Sequence, residues 1–148
     1  MEMSENIKKW LEENGVRYEV FNNMLLIPYE STLVMIRTVE WNEKKIVEVI
    51  ASVAIDIKPN IGLFKFLLEK NAEIPFGKFS FVEEGIDKKP TVFYSHYLLE
   101  KFMQKEEFEA SLAAVMAVAD TFDEDVAKLG NGLTFREYAQ KMKEGEKE

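Results

Sequence analysis

Asn71-Ala72-Glu73-Ile74-Pro75-Phe76-Gly77, inside the stretch 63–129, decides the reading of this chain. Proline followed two residues later by glycine makes a turn that redirects a helix into a strand, with Phe76 packed in the core. Upstream, Lys58-Pro59-Asn60 breaks an extended segment, and Asn60 caps a helix over 61–70. Its apolar residues Ile61, Leu63, Phe64, Phe66, Leu67 and Leu68 surround the axis, so this helix must be covered on more than one side. Downstream, 78–83 and 91–97 flank a polar loop and form a hairpin. In 106–129, Phe108, Leu112, Val115, Met116, Ala119, Phe122, Val126 and Leu129 recur at steps of three and four. That spacing predicts an amphipathic helix of about 36 Å at 1.5 Å per residue. Gly130-Asn131-Gly132 stops it, and Thr134-Phe135-Arg136-Glu137 is a capping box opening a short last helix before the polar tail 143–148.

Working back to the start, Ser4 caps a first helix over 4–14, which Asn14-Gly15 ends. Two short strands, 17–22 and 25–28, meet across Asn22-Asn23. In 33–41 and 45–57 the odd positions Leu33, Met35, Val39, Trp41, Val47, Val49, Val53, Ile55 and Ile57 are apolar, a period of two. With Asn42-Glu43-Lys44 as the turn, this predicts a long antiparallel hairpin whose odd residues share the core face. Ile46 and Ile50, on the even parity, imply partial cover of the other face. The expected fold class is therefore α+β: an antiparallel sheet with helices packed on it, in the order α-β-β-β-β-α-β-β-α-α. One domain over 1–148 is expected, with 1–3 and 143–148 as tails.

Composition narrows the function classes. With 47% hydrophobic and 31% charged residues the chain is globular. A formal net charge of -8 with only three arginines opposes nucleic-acid binding, which needs clustered cations. Zero cysteines exclude disulfides and thiolate chemistry. Neither a secretory leader nor an uninterrupted run of about 18 apolar residues is present, so the expectation is a cytoplasmic protein that is not inserted in a membrane.

The segment 67–79, Leu67-Leu68-Glu69-Lys70-Asn71-Ala72-Glu73-Ile74-Pro75-Phe76-Gly77-Lys78-Phe79, resembles the helix-to-strand signature of the YbjN-like family. Ala119-Asp120-Thr121-Phe122-Asp123-Glu124-Asp125, within 113–129, resembles that family's C-terminal helix, where an aromatic precedes acidic residues. The resemblance spans residues 7–132 and leaves 134–148 without a counterpart. It implies the fold of type III secretion chaperones and, by analogy of fold, protein binding and homodimerisation.

Candidate sites carry little chemistry. His96 is the sole histidine, and its neighbour Ser95 points to the opposite face of a strand. Asp120 and Glu124 share a helix face, but one turn supplies too few ligands for a cation, so no metal and no cofactor is expected. Gly130-Asn131-Gly132 follows a helix and cannot aim free amides at a phosphate. Met24, Met35, Met103 and Met116 fill the core or make an adaptable apolar surface. Ile46, Ile50, Ile61 and Leu63 exceed what one core needs and mark a partner or dimer surface. The expected function is a non-catalytic, dimeric protein-binding module of chaperone or adaptor type, taking an extended or amphipathic peptide by strand addition or in a groove. The alternatives are a small-ligand binder or enzyme using Asp56, Glu73 or Tyr94, and a structural oligomer subunit.

Overall fold

The long hairpin organises the molecule. In the computed structural model, which describes residues 5–29 and 31–146, strands β3 (Thr32–Trp41) and β4 (Lys44–Ile55) are joined by the two-residue turn Asn42-Glu43. Both turn residues have positive φ, 52° and 64°, the left-handed twist that suits a two-residue hairpin. Trp41 therefore pairs with Lys44, Ile36 with Val49 and Val34 with Ala51. This corrects the sequence reading. A three-residue turn would pair residues of equal parity, whereas the two-residue turn pairs odd with even, and a slip of one residue reverses every side chain. The core face accordingly takes Val34 and Ile36 from β3 with Val47, Val49 and Val53 from β4. Leu33, Met35 and Val39 lie on the opposite face.

Around this hairpin, β1 (Glu19–Phe21), β2 (Met24–Tyr29), β5 (Lys78–Val82) and β6 (Thr91–Leu99) complete an antiparallel sheet in the order β1-β2-β3-β4-β6-β5. The turn at Asn22-Asn23, with φ of 47° and 63°, is the one expected. A strand not foreseen in the sequence, β7 (Leu133–Thr134), pairs with Ile55 and Ala54 beyond the end of β3.

The helices α1 (Glu5–Glu13), α2 (Ile61–Glu73), α3 (Lys105–Leu129) and α4 (Phe135–Glu146) follow the expected order. The predicted cap Ser4 lies outside the described residues. Helix α3 packs on β4 and β6, α1 rests on α3, α2 on β5 and α3, and α4 on β4 and β7. The Asn60 side chain accepts from the Leu63 amide at 2.9 Å, as its capping role requires. At the other end of α2, Gly77 has φ +100°, and a Cβ there would stand 2.7 Å from the Ser95 carbonyl oxygen. Gly130 caps the C-terminal end of α3 and must be small, since a Cβ would meet Ile57 at 2.7 Å; the left-handed residue is Asn131, at φ 52°. Helix α4 continues to Glu146, past the point where a tail is expected. Its start carries the capping box: Thr134 Oγ1 accepts from the Glu137 amide at 3.2 Å and Glu137 Oε1 from the Thr134 amide at 3.1 Å.

The central core holds Ile7, Leu25, Val49, Leu63, Phe79, Tyr94, Phe108 and Val115. Phe122 packs edge-on against Phe66 and Phe79, so the aromatic residues of α2, α3 and β5 are locked together.

Candidate functional site

Two depressions follow one another along α3. The first is a groove of about 530 Å³ between α1 and α3, with Leu11 and Val16 on one bank and Phe108, Leu112 and Met116 on the other. Spacing of four along α3 puts those three side chains in one row. Trp10 packs on Phe108 with ring centroids 5.8 Å apart, and Lys105 Nζ donates to Glu13 at 2.6 Å, so both contacts hold α1 against α3. The hydrogen bond from Lys105 holds the Glu13 carboxyl below its ordinary range. Small exposed residues, Ala113 and Ala117, keep the groove open.

The second depression is a polar cleft of about 660 Å³ that begins at Asp120, which also borders the groove. It gathers Asp123 and Glu124 from α3, Ser31 from the turn just before β3, and Thr134 and Arg136 from the segment after α3. Asp123 is only 9% exposed, and its Oδ1 accepts from the Glu124 amide at 2.7 Å. Burial raises its carboxyl above the usual carboxylate range and the charges of Asp120 and Glu124 push the same way, while the hydrogen bond from the Glu124 amide and the charge of Arg136 oppose them. Ser31 is 4% exposed and its hydroxyl has no hydrogen-bond partner among the described residues. Among the described residues no group of three or more His, Cys, Asp or Glu is placed to hold a metal ion.

On the far face of the sheet Met24, Met35, Ile50, Phe93 and Tyr97 line a smaller cavity of about 460 Å³. Glu48 is buried there and takes the Arg37 Nε–H at 2.5 Å. Burial, then the hydrogen bond to Glu48, raises the Tyr97 phenol.

The predicted surface residues separate. Ile50 is buried and Ile46 half-buried on the far face of the sheet, where Ile46 pairs with Val39 and Leu99. Ile61 is 86% exposed on α2, which packs on the opposite, helix-bearing side. Leu63 corrects the expectation: it is wholly buried, because with Leu67 it forms the inner stripe of α2. The outer stripe is Ile61, Phe64 and Leu68. Thus α2 is not covered on several sides within this chain. The methionines also divide: Met24 and Met35 line the far face, Met116 the groove, and Met103 the edge of the core.

His96 pairs with a residue that sequence reasoning missed, Ser111, whose Oγ lies 2.9 Å from Nδ1. Phe76 stacks on the imidazole with ring centroids 4.0 Å apart, and burial lowers the His96 pKa. Ser111 is fully buried, so its hydroxyl has no path to a substrate. The residues named for an enzyme reading are engaged separately: Tyr94 donates to the Phe76 carbonyl, Glu73 pairs with Lys70, and Asp56 is an exposed left-handed residue after β4. The groove itself was half legible, since the α3 row is periodic in sequence, but nothing there shows that α1 and β2 leave it uncovered.

An antiparallel sheet with helices on one face and a groove between two of them makes this an α+β protein. The chain belongs to the family described as T3SS (YopN, CesT) and YbjN peptide-binding chaperone 1, whose model matches residues 22–138. That match carries past Gly132 into α4, where the sequence resemblance stopped. The crystal structure of YbjN from E. coli is similar in fold, with TM-score 0.62 and 16% identity over 86% of this chain and 93% of that one. The crystal structure of the ExsC–ExsE complex contains a chain similar at TM-score 0.56 and 18% identity, over 84% of this chain and 96% of that one. No curated protein matches the chain. Among the described residues no helix is long and apolar enough to cross a membrane.

Proposed function

We propose that this protein is a non-catalytic chaperone or adaptor of the cytoplasm that holds an extended or amphipathic peptide in the groove between α1 and α3, and that it works as a homodimer. The observation that carries the reading is the groove: an open depression between α1 and α3, lined mainly by apolar residues of the two helices with Val16 and Tyr29. Membership of a peptide-binding chaperone family supports it, as does the likeness to a chain crystallised in a complex. Strand addition is the weaker mode. Strand β1 has only three residues, and the outer edge of β5 is occupied at Phe79 by the side chain of Asn71. The dimer rests on the outer stripe of α2, where Ile61 and Leu68 are 86% and 70% exposed.

The test uses a fluorescein-labelled amphipathic leucine-rich peptide and the Ala113→Arg variant, whose new side chain fills the groove from an exposed position. Binding is expected to weaken at least about tenfold, with circular dichroism unchanged. Equal affinity for both proteins would remove the groove from the proposal.

A further inference from the structure

Apart from the Thr134–Glu137 capping box on its wall, the polar cleft beyond Asp120 belongs to no structural role already described. Along α3 the groove runs from Phe108 to Asp120 and the cleft from Asp120 to Lys128. Twenty residues of helix span about 30 Å, a length that an extended peptide covers with about nine residues. A segment of that length lying along α3 covers both depressions.

The cleft has the chemistry to read that segment. Asp120, Asp123, Glu124 and Glu137 bring four carboxylates against the two cations Lys128 and Arg136. Glu137 is committed to the Thr134 amide, while Asp123 is nine-tenths buried beside two other carboxylates of its own helix. A buried carboxylate with like neighbours is stabilised by any cation that enters. Independently, Ser31 lines the same cleft, is nine-tenths buried, and its hydroxyl has no hydrogen-bond partner among the described residues. Buried hydroxyls are ordinarily satisfied, and this one offers an acceptor to an incoming N–H.

Resting on the peptide-binding reading above, we infer that the cleft is a specificity pocket for a basic side chain, arginine or lysine, of the peptide held in the groove, with Asp120, Asp123 and Glu124 supplying the charge and Ser31 Oγ a neutral acceptor. The chain's overall acidity, -8, favours such partners at longer range. Arginine suits the cleft best, because its planar fork can address two carboxylates at once.

The test separates this inference from the reading it rests on. Amide chemical shifts of the full-length protein are followed by NMR during titration with three probes: N-acetyl-arginine methylamide, its citrulline isostere, and N-acetyl-leucine methylamide. The leucine probe reports the groove through Leu112 and Met116. The arginine probe is expected to shift the amides of Ser31, Asp123 and Glu124 saturably, at least about tenfold more tightly than citrulline. The difference should shrink in high salt and vanish in Asp120→Asn/Glu124→Gln, whose response to leucine stays intact. Equal responses to arginine and citrulline overturn the inference and leave the groove standing. Leucine shifts absent from the groove remove the peptide reading instead, whatever the cleft does.

Discussion

The side-chain amide of Asn71 grips the backbone of Phe79 on both sides, its Oδ1 accepting the Phe79 N–H at 2.7 Å and its Nδ2 donating to the Phe79 carbonyl at 3.1 Å. In antiparallel pairing alternate residues turn their backbone groups away from the neighbouring strand. At Phe79 those outward groups meet an amide at the C-terminal end of α2 instead of another chain. Asn71 thus ties helix to sheet and blunts an edge open to foreign strands. Asn71→Ala is expected to destabilise the protein by about 2 kcal/mol, from two lost hydrogen bonds and the groups left unpaired. Denaturant titration measures the loss, and light scattering should show concentration-dependent association beyond the dimer that the parent lacks.

Gly77 two residues before Phe79 permits that arrangement. At φ +100° with the Ser95 carbonyl in the path of any Cβ, Gly77→Ala carries both backbone strain and a clash. A loss of about 2–3 kcal/mol is expected, read from the urea midpoint. Gly15→Ala makes a useful comparison, since Gly15 shares positive φ but has open space around it; its loss should be the smaller.

His96 gives the fold a pH dependence. Burial between Phe76 and Ser111 lowers its pKa below the ordinary 6.5. The unfolded chain therefore binds a proton more readily than the folded one in the window just below 6.5, and stability falls as pH drops from there through the lower folded value. As the sole histidine, it accounts for any histidine-linked slope. Urea midpoints of wild type and His96→Gln, compared from pH 7.5 down to 5.5, should converge on a flatter profile in the variant.

The outer stripe of α2 separates dimerisation from folding. Ile61→Glu with Leu68→Glu alters exposed residues, so the change in stability is expected to stay within about 0.5 kcal/mol per site. Light scattering at micromolar concentration should give twice the chain mass for the wild type and a single chain mass for the variant. Leu63→Glu, by contrast, buries a charge in the core and is expected to unfold the protein.

Much of this architecture could be read from particular residues. Asn60, Gly77, the α3 periodicity and the Thr134–Glu137 capping box act through neighbours within a few positions, and each appears where local chemistry requires it, whereas Phe76, expected in the core, is 37% exposed. The misreadings share a different cause. Whether Val34 or Met35 faces the core depends on one residue in the turn at Asn42-Glu43, and both parities there are apolar. Leu63 and Ile61 are equally apolar and only two positions apart; which is buried follows from where β5 and α3 lie. The Ser111 partner of His96, the β7 pairing and the cleft at Asp120 join residues distant in sequence, for which a single chain offers no local signal.

The most direct measurement is site-specific photocrosslinking with a benzophenone amino acid placed at position 116 in the groove and, in a second protein, at position 35 on the far face of the sheet, in cells of the source organism. Adducts identified by mass spectrometry should attach short segments of one or a few other proteins, apolar with a flanking basic residue, to position 116 and leave position 35 without them. Adducts absent at 116, or identical at both positions, would contradict a peptide-holding groove between α1 and α3.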